Sequence, residues 1–132
     1  MNNIAIILRA LQFYAHNAHN LAKGKTFLED HEFFGELYGA YEGEYDSVVE
    51  RMIGLGDEPD LNSITKQAAE AATANDFKDN DMAFSVLLVT EKELCDAIAK
   101  ETPGATDGTQ NLLQGIADNS EMRQYKLKRR IK

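Results

Sequence analysis

The 132-residue chain contains no tryptophan, one cysteine (Cys95) and two prolines (Pro59 and Pro103). A single cysteine cannot form an internal disulfide, which excludes a disulfide-stabilised scaffold and favours a reducing compartment, the cytoplasm. We interpret Cys95 as a small buried apolar residue in preference to one with a redox role. Because there are only two prolines and helix-forming residues are abundant, the composition predicts an all-α fold.

Long apolar runs are also absent. No stretch approaches the roughly 20 apolar residues of a membrane-spanning helix. Residues 1–9 include a short apolar run but lack the basic start and the small-residue cleavage site of a signal peptide, so we expect the first helix there. A chain of this length can bury a sizeable core, and we expect a single domain, 1–132.

Basic residues are fewer than acidic ones, 14 against 22, which gives a net charge of −8. This balance argues against a general nucleic-acid-binding protein. The basic residues nevertheless crowd the last seven positions, as Lys126, Lys128, Arg129, Arg130 and Lys132. They fit a helix C-terminus whose dipole favours cations, a DNA contact, or a subunit contact or pore lining.

Hydrophobic periodicity predicts four long helices and one short one, near residues 3–22, 28–54, 63–74, 79–100 and from 107 onward. Ser63 and Asp107 are the expected caps of the short helix and the last helix. The inward-facing residues are expected to include Leu21, Val89, Met122 and Tyr125. Two helices, a long crossover with a short helix, and two more helices favour a ferritin-like four-helix bundle.

Two carboxylates and two imidazoles are the candidate functional residues. Asp46 and Glu50 are four residues apart, so they share a helix face and can hold one cation. His31 precedes Asp46 by fifteen residues, roughly 22 Å along a helix at 1.5 Å per residue. One chain therefore cannot bring both to one metal, whereas two antiparallel copies of the helix about a two-fold axis can. His19, on the preceding helix, could join His31.

This spacing of His19, His31, Asp46 and Glu50, closed by Glu-Arg-x-x-x-Leu-Gly, resembles the Dps family of miniferritins. The resemblance is tight over the first half of the chain and continues more loosely, through Thr109–Leu113 and Glu121, almost to the end. It implies a hollow shell, a dodecamer built from two-fold dimers, that oxidises ferrous iron with peroxide or oxygen and stores ferric mineral. It also implies intersubunit metal sites, with the two histidines from one subunit and the aspartate and glutamate from its mate.

Two positions depart from the family pattern. Gly35 stands four residues after His31, where the family usually has an acidic ligand, and Asn20 stands where an aromatic residue often follows the first histidine. We therefore expect a weaker or mononuclear site unless Glu36 or Asp30 supplies the carboxylate. An aspartate at position 35 is expected to raise ferrous affinity or oxidation rate. The rival functions are a structural shell that lost efficient oxidation and a shell that protects DNA by binding it.

Three further features have open interpretations. His16, one turn before His19, is a surface residue or an additional ligand. Tyr38, Tyr41 and Tyr45 are at helical spacing, which fits packing in the core or an interface better than electron donation to iron. The simplest partner for Arg51 is an acid across a subunit contact.

Overall fold

The computed structural model describes all 132 residues and contains five α-helices and no strands. The helices are α1 (Asn2–Leu21), α2 (Phe27–Gly54), α3 (Leu61–Thr73), α4 (Asn80–Glu101) and α5 (Asp107–Ile131), with a 3₁₀ turn at Thr102–Gly104. The predicted all-α fold is confirmed, and each predicted helix is present with its ends shifted by at most two residues.

Helices α1, α2, α4 and α5 make the bundle, and α3 lies in the long connection between α2 and α4. Helix α1 packs against α2, α3 and α4, while α4 also packs against α5. Their apolar faces enclose one core of 26 buried residues. Each large aliphatic or aromatic side chain buried there contributes about 1.5–3 kcal/mol. No helix is both long enough and apolar enough to cross a membrane.

Two glycines with positive φ define the ends of α2. Gly24 (φ +91°) lies in the tight turn that reverses the chain between α1 and α2. Gly56 (φ +97°) follows the other end, where its N–H donates to the Ile53 carbonyl and the Asp57 N–H donates to the Met52 carbonyl. This left-handed position satisfies carbonyls that a helix end leaves free. The turns therefore place α1 and α2 side by side in opposite directions.

The predicted caps are wrong by one to three residues. Asp60, not Ser63, caps α3 and accepts the Ser63 N–H at 3.0 Å. Thr106, not Asp107, caps α5 and accepts the Thr109 N–H at 3.2 Å. In both cases the expected residue lies inside the first turn, and an equally good capping side chain stands upstream of it.

The predicted inward faces need correction in three helices. The residues expected inside but found exposed are Leu21 (52%), Val89 (57%), Met122 (56%) and Tyr125 (59%). In α4 and α5 the buried faces contain Glu91, Ser120 and Arg123 among apolar residues. Hydrophobicity alone could not locate those faces, because charged and polar residues occupy core positions on both helices.

Candidate metal centre

His19 and His31 form a pair where the end of α1 meets the start of α2. Nδ1 of His19 lies 2.7 Å from the carbonyl oxygen of His31, and Nδ1 of His31 lies 2.6 Å from the carbonyl oxygen of His19. The two rings are stacked, with centroids 3.7 Å apart and planes 19° apart. Both side chains are half-buried. The structure thus brings together two of the four predicted ligands.

These hydrogen bonds determine which nitrogens are available to a metal. A carbonyl oxygen only accepts, so Nδ1 of each ring must carry the proton. In the neutral imidazole the lone pair then resides on Nε2, which is a common metal-ligating nitrogen. Donation of the other ring N–H to a backbone carbonyl is the usual way in which proteins orient a metal-binding histidine. If the pair holds a metal, Nε2 of each ring is therefore the nitrogen that could bind it.

Aromatic rings surround the histidine pair. Phe27 stacks on His31 with centroids 4.9 Å apart, and Tyr38 packs edge-on against His19 at 5.4 Å. Tyr38 also stacks on His16 at 4.0 Å, with the two planes only 6° apart. His16 lies 6.3 Å from His19, centroid to centroid, and takes no part in the reciprocal hydrogen bonds. These contacts restrict the orientations of the imidazoles.

Gly35 lies directly against the His19 ring. A Cβ atom at this position would lie 3.1 Å from Nδ1 and 3.2 Å from Cε1 of His19. The absence of a side chain therefore permits the observed position of the ring. Because position 35 is a glycine, the acidic ligand is missing there and the His19 ring can also approach the helix closely.

Asp30, next to His31, is already bound within the chain. It is 2% exposed, and its carboxylate accepts hydrogen bonds from Arg130 (2.9 and 2.7 Å), Thr26 (2.7 Å) and Asn80 (2.9 Å). Burial acts to raise the pKa of Asp30, but these hydrogen bonds outweigh it and the pKa is lowered. Asp30 is therefore not free to replace the carboxylate missing at position 35, whereas Glu36 is exposed and has no hydrogen-bond partner.

The basic C-terminal segment has one member held inside the chain. Besides Asp30, Arg130 contacts Asp81 at 2.9 Å. The other four basic residues of the segment are exposed: Lys126, Lys128, Arg129 and Lys132. Arg130 thus ties the end of α5 to the starts of α2 and α4, and only the other four remain available for an outside contact.

Asp46 and Glu50 lie exposed on α2, and neither has a hydrogen-bond or ion-pair partner in the chain. No group of three or more metal-ligating side chains occurs in one protomer. The structure therefore does not bring these carboxylates to the histidine pair within a single chain, as the helical separation requires. Arg51, half-buried beside Glu50, contacts Thr109 at 3.4 Å and pairs with no acid of its own chain.

The remaining residues of interest are held by packing. Tyr41 is fully buried and donates its hydroxyl proton to Glu91 at 2.6 Å. The guanidinium of Arg9 lies 3.8 Å from the centroid of the Tyr45 ring. Cys95, expected to be buried, is only half-buried.

The comparisons with known proteins agree with this architecture. A family model described as the ferritin-like domain matches residues 3–132, so the chain belongs to the ferritin-like family. General stress protein 20U of Bacillus subtilis (strain 168) is 29% identical over an alignment of 126 residues, and the match covers 86% of this chain and 81% of that protein. Family membership supports a ferritin-like role in general.

Proposed function

We propose that this chain is a Dps-type miniferritin that binds ferrous iron at sites shared by two subunits. The observation that carries the proposal is the His19–His31 pair, whose hydrogen bonds leave both Nε2 atoms free for a metal. Asp46 and Glu50 provide the complementary half, because they are exposed and unpaired on a single helix. A two-fold axis would place α2 of one subunit antiparallel to α2 of its mate. It would then bring the histidines of each subunit to the carboxylates of the other, which makes two equivalent sites per dimer.

Imidazole and carboxylate ligands together suit ferrous iron, and a site with few protein ligands leaves positions for an oxidant. Each ferrous ion, which is substrate here, gives one electron to peroxide or oxygen and becomes ferric. Because the protein supplies only four ligands and none from Gly35, we expect a weak or mononuclear site. Neutral imidazoles are required, so metal binding competes with protons.

The assembly proposed for this chemistry is a closed dodecamer. A net charge of −8 per chain gives a shell of such subunits many carboxylates for ferric ions. Light scattering should detect the shell, whereas a monomer at micromolar concentration would remove both the shell and the shared site. The proposed role is cytoplasmic, with iron stored and kept from radical chemistry, and the likeness to a general stress protein supports a role under stress.

An anaerobic ferrous titration followed by addition of peroxide tests the function. Absorbance reports ferric formation, and the titration gives the number of ferrous ions per subunit. His31→Ala should abolish rapid oxidation. His16→Ala is the matched control, since His16 lies outside the reciprocal pair, and it should retain activity. Equal rates for the wild type and His31→Ala would refute the site.

A second candidate is a structural shell with weakened or lost oxidation. It is favoured by Gly35, which removes a ligand and contacts the His19 ring. Its signature would be normal assembly without rapid ferrous oxidation in the wild type. DNA association through the four exposed C-terminal basic residues is a further property to test in such a shell.

A further inference from the structure

The centre of the bundle contains a buried charged cluster, Glu44 from α2, Glu91 from α4 and Arg123 from α5. The Arg123 guanidinium bridges the two carboxylates. Toward Glu91, its Nε lies 2.5 Å from Oε2 and its Nη2 lies 3.3 Å from Oε1. Toward Glu44, its Nη1 lies 2.8 Å from Oε2 and its Nη2 lies 2.9 Å from Oε1. The Glu91 side chain is completely buried, and those of Arg123 and Glu44 are 9% and 11% exposed.

This cluster lies where ferritin-like carboxylate proteins can hold metals, on inward-facing positions of the bundle helices. Such a site uses a Glu from each of two helices and Glu-x-x-His motifs from the others. Here Glu91 is followed three residues later by Leu94, and Glu44 by Ser47, so neither belongs to such a motif. The residues present do not fit an interior metal, because a guanidinium occupies the space between the carboxylates.

Hydrogen bonds from several side chains hold the two carboxylates in place. Glu91 also accepts from the Tyr41 hydroxyl at 2.6 Å and from Ser120 at 2.8 Å. Burial acts to lower the pKa of Arg123, but hydrogen bonds to Glu44 and Glu91 outweigh it, so the guanidinium stays charged. Two carboxyl groups thus share a single guanidinium.

One member of the cluster, Glu44, is reached from solvent. Glu44 lines a groove of about 590 Å³ between α2 and α5. Gly39, Gly43 and Gly115 form part of its walls, and a Cβ atom added at any of them would meet nothing within 4 Å. A hydrated ion can therefore approach Glu44 without unfolding of the bundle.

We propose that Arg123 is a built-in replacement for an interior metal ion and closes the bundle centre to metals. Removal of its charge opens a divalent-cation site made by Glu44 and Glu91. The inference is independent of the proposed intersubunit site, because it involves other residues on other faces of the helices.

The test measures Co²⁺ binding by absorption spectroscopy and calorimetry. All proteins carry Asp46→Ala and Glu50→Ala, which remove the exposed carboxylates as competing ligands. In this background Arg123→Met should bind one more Co²⁺ per chain than the Asp46→Ala/Glu50→Ala parent does. Its affinity for this ion should be at least tenfold higher than any affinity the parent shows for an extra ion. Arg123→Lys, which keeps a positive charge, and Arg123→Met/Glu91→Gln, which removes one carboxylate, should bind no additional ion.

Thermal melts give a second readout. Co²⁺ should raise the Tm of Arg123→Met but not that of Arg123→Met/Glu91→Gln, and if Arg123→Met is unfolded alone, Co²⁺ should restore its helical circular dichroism signal. The proposal is overturned if Arg123→Met gains no Co²⁺ over its parent, if it stays unfolded with Co²⁺ while Arg123→Lys folds, or if Arg123→Lys gains the ion equally.

Discussion

A methyl group at position 35 would lie 3.1 Å from Nδ1 of His19, closer than an ordinary van der Waals contact. The same nitrogen donates to the His31 carbonyl. Any side chain at position 35 must therefore move the His19 ring by a few tenths of an ångström, which weakens that hydrogen bond. A carboxylate at position 35 is thus expected to have two opposing effects on ferrous affinity: it adds a ligand, and its Cβ displaces the His19 ring.

Comparison of Gly35→Ala with Gly35→Asp distinguishes the effect of the Cβ from the effect of the carboxylate. The alanine adds only the Cβ, so we expect it to lower ferrous affinity despite a helix-propensity gain of about 0.5–1 kcal/mol. The aspartate adds the same Cβ and an oxygen ligand, so it should bind ferrous iron more tightly than the alanine variant. Anaerobic calorimetry measures both. Equal affinities in the two variants would show that a carboxylate here does not reach the metal.

The Asp30–Arg130 pair should stabilise the protein. Arg130→Gln leaves a nearly buried carboxylate without its cation, and we expect a loss of about 2–3 kcal/mol in the free energy of unfolding. Asp81→Asn is the matched control: it removes only the contact to the 69% exposed Asp81 and should cost less than about 0.5 kcal/mol. Urea unfolding at one fixed protein concentration compares them. Similar losses in both variants would contradict a special role for Asp30.

The same pair predicts a pH dependence. The pKa of Asp30 is lowered in the folded protein, so its contribution is fully present above the unfolded value, about 3.9 for an aspartate, and is lost as pH falls through the folded pKa. The stability difference between the wild type and Arg130→Gln should thus be constant near neutral pH and shrink below about pH 4. Urea titrations across this range measure it. A difference that grows on acidification would have the wrong sign.

Two variants of Tyr38 distinguish a packing role of its ring from electron donation by its hydroxyl. Tyr38→Phe retains a ring that can stack on His16 and pack against His19, so we expect ferrous oxidation within about twofold of the wild type. Tyr38→Leu removes the ring and should slow oxidation by loosening His19. Stopped-flow absorbance gives the rates. If the phenylalanine variant is as slow as the leucine variant, the phenol hydroxyl is what matters and an electron-donating role is supported instead.

The sequence predicted the helices and the histidine pair because both depend on local spacing. Gly24 and Gly56 mark the ends of α2, and twelve residues separate His19 from His31 across one tight turn. The partners of Asp30 were not predictable in this way, since Arg130 lies one hundred residues away and contacts it only after α5 has packed. Asp30 alone resembles any acid in a helix first turn.

Core charges were missed for a different reason. Glu91 stands between Leu87 and Leu94 at core spacing, and this was the available signal for a buried carboxylate. Hydrophobic periodicity alone predicts that such a residue lies on the surface. The predicted buried face of α4 therefore included Val89 in place of Glu91. Only the structure shows that Arg123, on a different helix, neutralises it.

Subunit complementation tests the central claim, that each site takes histidines from one chain and carboxylates from another. His31→Ala and Asp46→Ala should each be inactive. When they are mixed and reassembled, a hybrid dimer has one complete site of its two, so random exchange should restore about one quarter of the wild-type sites. A mixture of His31→Ala and His19→Ala is the control and should restore nothing, because every site lacks one histidine. No recovery in the first mixture after subunit exchange has been verified would contradict the shared site.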